Sequence, residues 1–516
     1  MKTLLYLTIL FSTTYIYSQK PDIEWGDEFK TGVFQFPKII SSNDTEIYLF
    51  RHSTMSVNGL IEKYDANLNL IYAAKPELPM DKQVKTRIKD PFFLNNQLYI
   101  TKSTFNTATK DNSLYAYSIT EDGVINEENG VLLDNHIDAG KASAEYEIVI
   151  SKDSSQLLLY YPLPGKSNEN LDFQFRVFDQ SLNIVWEKEI ELPYKNRYTS
   201  IEGYIIDNLS NVYMLVKVEP DRSKGEKNTR TNQATKFLIL GYNYAKGETN
   251  EYEVTLPDSK WIVDMHGEYS PHTNQLTIGG LYSNDLKTYQ SDGIYYMKLD
   301  ITTNEIKSVS YKPFSNEIKT EILGRIAANK DKGISNFEIR QFISKENGGS
   351  YIVAEQFYIR VVTSTDPKTG VTSTRYYYVY NNIVVASMNN QGIIEWISLI
   401  KKESTQSNSG SFLSYAINHN KKNDDLYFIY NDNLKNFTAT GEPAEKLRVF
   451  VPNKKMGVSF VKMDNTGMVT KSLFLNPKEI GKIAIQPNVS TFSDGNSIIV
   501  YALLSKGGYR LGRIHF

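Results

Sequence analysis

Residues 147–160 read EIVISKDSSQLLLY and residues 176–193 read RVFDQSLNIVWEKEIELP. Each is a strand, a polar turn and a second strand. Apolar and polar residues alternate with the period of a half-buried strand rather than a helix. In the second stretch the turn carries Asp179. Its carboxylate can accept a hydrogen bond from backbone two residues on, and a neighbouring Asn or Gly tolerates left-handed angles. Two such hairpins in tandem make a four-stranded antiparallel sheet.

Both patterns recur along the chain. The first returns at residues 38–50, 90–100 and 204–216, and more weakly at 267–280, 340–354, 415–430 and 488–503. The second returns at 62–78, 116–134, 241–257, 296–314, 384–402 and 458–476, with Asp65 and Asp464 at two of its turns. Eight first hairpins and seven second hairpins leave a half-unit at each end. The C-terminal stretch 509–516 supplies one strand, and residues 22–30 (DIEWGDEFK) resemble 183–191 (NIVWEKEIE). Pairing these two ends closes a ring without an exposed edge. The expected fold is therefore all-β: a β-propeller of eight four-stranded blades, closed by the N-terminal strand. Seven blades is the alternative, because the first, fifth and eighth copies are irregular. Division by eight gives about 62 residues per unit, near or above the ~40–50 of familiar blade repeats. No linker rich in Pro, Gly or Ser divides the chain, so residues 19–516 are expected to form one domain.

Met1 to Ser18 read as a secretory signal: Lys2, then a short apolar run from Leu4 to Phe11, then a small residue before Gln19. The apolar run is well short of the ~20 residues that cross a bilayer. The expectation is an exported chain in the periplasm, on the outer surface or outside the cell, with no transmembrane segment. The 516 residues include no Cys, which excludes disulfides, Cys-ligated zinc and thiol catalysis. Charges balance at 57 basic against 59 acidic residues, so nothing electrostatic points to nucleic acid as a partner. The 36 Tyr, with frequent Ile and Val, favour strands.

The pattern resembles the β-propeller superfamily. The signal, Gln19 and the run GISNF at residues 333–337 resemble exported bacterial propeller proteins of unknown function. Subfamily signatures are missing. Trp25, Trp186, Trp261 and Trp396 are followed by Gly, Glu, Ile and Ile, so no Trp-Asp dipeptide occurs, and the sialidase box is absent.

Catalytic motifs fail in turn. There is no H-E-x-x-H, G-x-S-x-G or G-x-G-x-x-G. Gly165-Lys166-Ser167 mimics the end of a P-loop, but Tyr160 stands where its first Gly is needed. Residues 65–69 resemble a calcium loop only faintly and read better as a hairpin turn. No cofactor is expected.

Two groups of residues remain as site candidates. Four long connections, 219–236, 283–292, 357–380 and 431–458, should emerge on one face. Long loops on a rigid scaffold are where binding is built. The third reads as a long hairpin turning at residues 366–370. Its second arm carries Arg375, Tyr376, Tyr378 and Tyr380, with the three Tyr on one side. These residues and Trp261 are the candidate ligand-binding set, although aromatic residues also stabilise a hairpin for its own sake. The second group is a channel-lining polar set. Asp264, His266 and Glu268 alternate on one predicted inner strand, and Glu145, Glu147, Glu202, Glu338 and Arg340 begin others. Such a set suits acid–base chemistry, but any solvated channel is lined by mixed charges. The remaining His residues (52, 136, 272, 419, 515) are expected to face solvent at turns and strand ends, and Trp25, Trp186 and Trp396 to pack between blades.

The leading expectation is a binding or scaffold protein of the envelope that holds a protein, peptide or glycan. The alternative is a carbohydrate- or peptide-active enzyme with carboxylates at the channel. A third possibility is self-association through the hairpin.

Overall fold

Each polar turn reverses the chain, and in the computed structural model these reversals build eight separate antiparallel sheets. The structure describes residues 21–53, 58–77, 83–137, 144–163, 165–220, 235–271, 273–285, 289–300, 305–452, 456–476, 483–493, 497–504 and 507–516. The signal segment and His272 lie outside these residues, as do 221–234, 286–288 and 453–455 of the long connections. Among the described residues no helix is long and apolar enough to cross a membrane.

The fold is an eight-bladed β-propeller. Blade 1 holds Phe34–Ser42, Glu46–Ser53, Gly59–Asp65 and Leu70–Ala74 in that order. Blades 2 to 7 repeat the up-and-down order, and the first strands of blades 3, 4, 5 and 6 pack side by side toward the axis. Blade 8 takes two strands from the C-terminus, Ser497–Leu504 and Gly508–His515, and its outer strand, Asp22–Trp25, from the N-terminus. Asp22 pairs with His515 and Trp25 with Gly512.

The turns that the Asp residues mark are built alike. The Asp179 carboxylate accepts from the N–H groups of Ser181 and Asn183 and from the Asn183 amide. Asp65 does the same with Asn67 and Asn69, and Asp207 with Leu209 and Asn211. The residue before the final Asn is left-handed: Leu68, Leu182 and Ser210 have φ of 64°, 61° and 63°. Leu68 and Leu182 hold this conformation while their side chains are buried in the core. The two corresponding turns at Asn389 and Asp464 place Gly392 and Gly467 there.

Among the described residues the buried apolar side chains form no central core. The buried apolar residues fall into eight layers, each sandwiched between two adjacent blades, with the last joining blade 8 to blade 1. Trp186 and Trp396 tie these layers together: each indole N–H donates to a turn carbonyl of the next blade, Ser210 and Asn465. The 8–1 layer contains a buried polar knot. Arg51 donates two parallel bonds to Glu62, at 2.9 and 2.6 Å, and its guanidinium lies 4.5 Å from the Tyr509 ring. The Tyr509 hydroxyl donates to Glu62 and meets the Tyr64 hydroxyl at 2.9 Å. The knot thus ties blade 1 to the penultimate strand of the closed blade 8.

Glu62→Ala leaves a buried guanidinium without its partner. Breaking a buried pair in this way costs about 3–5 kcal/mol. Urea denaturation of the variant should show a loss of that size, whereas Glu24→Ala, on the exposed closing strand, should lie within about 0.5 kcal/mol of the parent.

Candidate functional site at the loop-bearing face

The longest second-to-third-strand connections belong to four consecutive blades, 4 to 7, and so share one face of the ring. On blade 6 this connection becomes a β-ribbon. Strands Ser350–Thr365 and Thr372–Met388 run on as a pair well beyond the blade, to the turn at residues 366–370. Asp366 accepts from the Lys368 N–H, and Gly370, with φ of 68°, donates to the Asp366 carbonyl.

The ribbon leaves the blade at a bulge between Glu355 and Phe357, where two residues face one and the strand is re-aimed. Below the bulge the Lys402 ammonium and the Glu355 carboxylate form a fully buried pair at 2.8 Å. Lys402 also donates to the Tyr380 carbonyl, and Glu355 accepts from the Ser414 hydroxyl. Burial holds the Lys402 ammonium below its ordinary pKa, with Glu355 opposing the shift. Segment Ser404–Ser407 pairs with the ribbon at Tyr377–Tyr380, and Phe450 from the long blade 7 connection bonds to it in turn through Thr405 and Glu403. The GISNF run clasps the other side: Ile334 bridges Ser291, and the Asn336 carbonyl accepts from the Phe357 N–H.

Residues 358–376 are exposed throughout. Cross-strand pairing sorts them into two faces. Ile359, Val361, Tyr376 and Tyr378 share one, continued outward by the hydroxyl pairs Thr363–Thr374 and Thr365–Thr372. Tyr358, Arg360, Val362, Arg375 and Tyr377 share the other, with the Arg360 guanidinium 5.0 Å from the Tyr377 ring. Among the sequence candidates, Arg375 and Tyr376 are exposed and Tyr378 and Tyr380 are half-buried. The last two sit against Gly410, where a Cβ would approach the Tyr380 ring to 3.2 Å. Trp261 opens the innermost strand of blade 5 opposite Ser283, at the loop-bearing end, and is half-buried near Phe237 and Tyr289.

The polar candidates divide. Asp264, His266, Glu202, Glu338 and Arg340 form one cluster contributed by blades 4, 5 and 6. His266 lies 3.4 Å from Asp264, and Arg340 bonds Glu338 at 3.2 Å. Burial pushes the Asp264 carboxyl up, but the His266 interaction and the N–H groups of Ile339 and Met265 bring it below its ordinary value. Burial opposes charge on His266; Asp264, with Glu202 and Glu338 behind it, raises its pKa above 6.5. Burial raises Glu338, against Arg340. Glu202 accepts from the Ser200 hydroxyl. Glu268 lies toward the other end of the strand, paired with Lys152 and accepting from Ser344. Glu145 and Glu147 are exposed on blade 3. Among the described residues no three His, Asp or Glu side chains converge to hold a metal ion.

Arg340 also joins the two candidate groups. Its guanidinium stacks 5.0 and 5.5 Å from the rings of Phe357 and Tyr380 at the ribbon base. Beside it, a cavity of about 290 Å³ reaches across to Tyr415 of blade 7 and Pro487 of blade 8.

Sequence reasoning named only Glu147 as a site candidate among the residues lining a cavity of about 460 Å³ set between blades 1, 2 and 3. Asp90 sits there between the Lys38 ammonium and the His52 ring, whose Nε2 is 2.8 Å away. The His52 hydrogen bond, ahead of Lys38 and against burial, lowers the Asp90 pKa to about 2. The expectation that these His residues face solvent fails at three positions. His52 is half-buried against Asp90, His136 stacks on Tyr161 and meets Asp134 at 2.6 Å, and His419 is buried beside Asp424. Only the partner of His52 is distant in sequence, 38 residues away; Asp134 and Asp424 lie two and five residues from their His and were legible locally. Two short helices also went unforeseen, Asn316–Leu323 and Arg325–Ala328, between blades 5 and 6. Ser315 caps the first, Glu317 sits in its first turn and Gly324 ends it.

No protein-family model matches this chain, and no curated protein does. Solved structures similar to it include a prolyl endopeptidase, with 8% identity over 92% of this chain and 55% of that one and a TM-score of 0.40. A WD40 domain of SCAP from fission yeast matches at 10% identity over 98% and 96% of the two chains, with a TM-score of 0.39. The polysaccharide lyase Uly1 matches at 10% identity over 82% and 89%, with a TM-score of 0.36. This chain thus spans about half the length of the prolyl endopeptidase.

The His266–Asp264 pair yields a pH test. A His whose folded pKa is raised stabilises the fold fully below its unfolded pKa, and the contribution is lost as pH rises through the folded value. The His266 ring resonances should titrate above 6.5 in the parent and lower in Asp264→Asn. That variant should lose more stability at about pH 5.5 than at about pH 8.5.

Proposed function

We propose that the chain is an exported binding or scaffold protein of the cell envelope, and that the ribbon and its neighbouring connections hold a protein partner. The observation that carries the reading is the ribbon itself. It projects Ile359, Val361, Val362, Tyr358 and Tyr376 into solvent on two faces, where nothing in the blade stabilises them. Scattered exposed apolar residues need no explanation, but a contiguous set on a projecting element marks an interaction surface. Tyr and Arg are the residue types enriched at such surfaces. A two-stranded ribbon is a poor pocket for a small ligand and a good surface for a macromolecule.

The polar channel cluster gives less support to catalysis. A glycosidase needs two carboxylates that both reach an open pocket. Here Asp264 is engaged by His266, Glu338 by Arg340 and Glu268 by Lys152. Export is part of the proposal and rests on the Met1 to Ser18 segment and on a cysteine-free composition.

The test uses the full chain as bait in an envelope extract of the source organism. Val361→Ser combined with Tyr376→Ala should reduce capture of the partner at least tenfold while the melting temperature stays within a degree or two. Equal capture by this variant and the parent would remove the ribbon from the reading.

A further inference from the structure

The ribbon has two edges, and they are treated differently. The edge of the Thr372–Met388 strand is covered at Tyr377–Tyr380 by Ser404–Ser407, and Asn408 extends the cover by donating its N–H to the Tyr376 carbonyl. The opposite edge belongs to the Ser350–Thr365 strand. Phe337–Ser344 pairs with that strand only as far as Gln356, and the Phe357 N–H is taken by Asn336. Beyond Phe357 no described strand lies against it.

Backbone direction follows from two bonds. The Asp366 N–H donates across the ribbon to Val371, and the Phe357 N–H donates outward to Asn336. In an antiparallel ladder the direction alternates residue by residue. Ile359, Val361, Thr363 and Thr365 therefore turn their N–H and C=O groups to the open edge. The residues are YIRVVTST from 358 to 365, rich in β-branched side chains and without Pro. Proteins normally blunt such an edge with Lys, Pro or a covering segment.

We propose that this edge is completed by the same edge of a second copy of the chain, antiparallel across a two-fold axis at Thr363. The partner is argued from complementarity. With Thr363 opposite itself, Val361 faces Thr365 and Arg360 faces Asp366, twice by symmetry. Opposite charges directly across strands are favourable. Edge groups of residues 361, 363 and 365 then form three closely spaced pairs, and the two ribbons become one four-stranded sheet. The pairing ends where it must, because Pro367 has no N–H to offer Ile359. The contact is isologous and closes at two copies, so it does not propagate into a fibre. It also makes the two Ile359, Val361 and Tyr376 faces continuous. This proposal goes beyond the binding role above and does not require it.

Light scattering on the full chain during size exclusion should give twice the chain mass at micromolar concentration. Thr363→Pro removes an outward N–H, keeps the backbone bonds within the ribbon and loses only the exposed Thr363–Thr374 hydroxyl pair, so it should give the single-chain mass with a melting temperature within a degree or two of the parent. Arg360→Asp alone should weaken the dimer at least tenfold, and combination with Asp366→Arg should restore it. Because the chain has no Cys, Thr363→Cys introduces a unique thiol, and oxidation should link two copies through it. A monomeric parent up to about 100 µM, or a dimer unaffected by Thr363→Pro, would overturn the proposal. If the parent is monomeric but Val361→Ser with Tyr376→Ala still abolishes partner capture, the second copy falls as occupant while the binding role stands.

Discussion

This ring of sheets is closed by a strand from the far end of the chain, which finishes its last blade. Here that strand is Asp22–Trp25, laid against Gly512–His515. Bringing together ends some 490 residues apart carries a loop-closure cost of about 5–6 kcal/mol on the logarithmic scaling. Four residue pairs of ladder on an exposed outer strand do little against that. The buried knot of Arg51, Glu62, Tyr64 and Tyr509 lies one layer inside and shares the task. Its charges are desolvated, which is expensive, so the pair is justified only by the number of bonds that satisfy it. Arg51 also donates to the carbonyls of Thr31 and Phe34, which fixes where the N-terminal strand ends and blade 1 begins. Register at the seam is thereby set by polar geometry, where apolar packing would tolerate slippage.

The absence of a central core follows from the same closure. Each blade buries both faces against its neighbours, so stability is distributed over eight similar layers and the axis is left to polar groups. This accounts for part of the tyrosine content. Tyr64, Tyr282, Tyr295, Tyr296, Tyr351, Tyr430, Tyr501 and Tyr509 are fully buried between blades. A Phe would fill the same volume, but the hydroxyl reaches beyond it. Tyr351 donates to the Asp424 carbonyl of the next blade, and Tyr269 reaches back to Asn208 in the preceding one. Such bonds specify which turn meets which blade, a problem that eight near-identical units otherwise leave open.

This division explains what could be read from the chain. Hairpin phase, the Asx turns at Asp65, Asp179 and Asp464 and the turn at residues 366–370 are local signals with their physical cause within a few residues, and the closing strand was legible from its likeness to the outer strand of another repeat. The sites are not local. Asp90 and His52 are 38 residues apart and meet only because blades 1 and 2 pack face to face. Arg340 was legible as a channel residue and Tyr380 as a ribbon residue. Their stacking depends on the bulge at Glu355–Phe357, which shifts the register by one and has no marker in the sequence. The four long connections were legible as a group, because consecutive blades must present equivalent loops on one face.

The bulge and the pair beneath it also explain why the ribbon can serve as a surface at all. An isolated two-stranded hairpin is marginal in water. This one grows from a blade whose strands are already fixed, and its base is pinned by Lys402 and Glu355, neither of which can leave without exposing the other as an unpaired buried charge. Ser404–Ser407 then stiffens one edge, and Arg340 packs across the Phe357 and Tyr380 rings. Order is imposed from below and fades outward, from buried ion pair to aromatic stack to hydroxyl ladder. Beyond Tyr358 the side chains stabilise the ribbon only through one another, as in the Arg360–Tyr377 stack and the Thr363–Thr374 pair. Apolar side chains so placed stay in water, and covering them would remove that apolar surface from it.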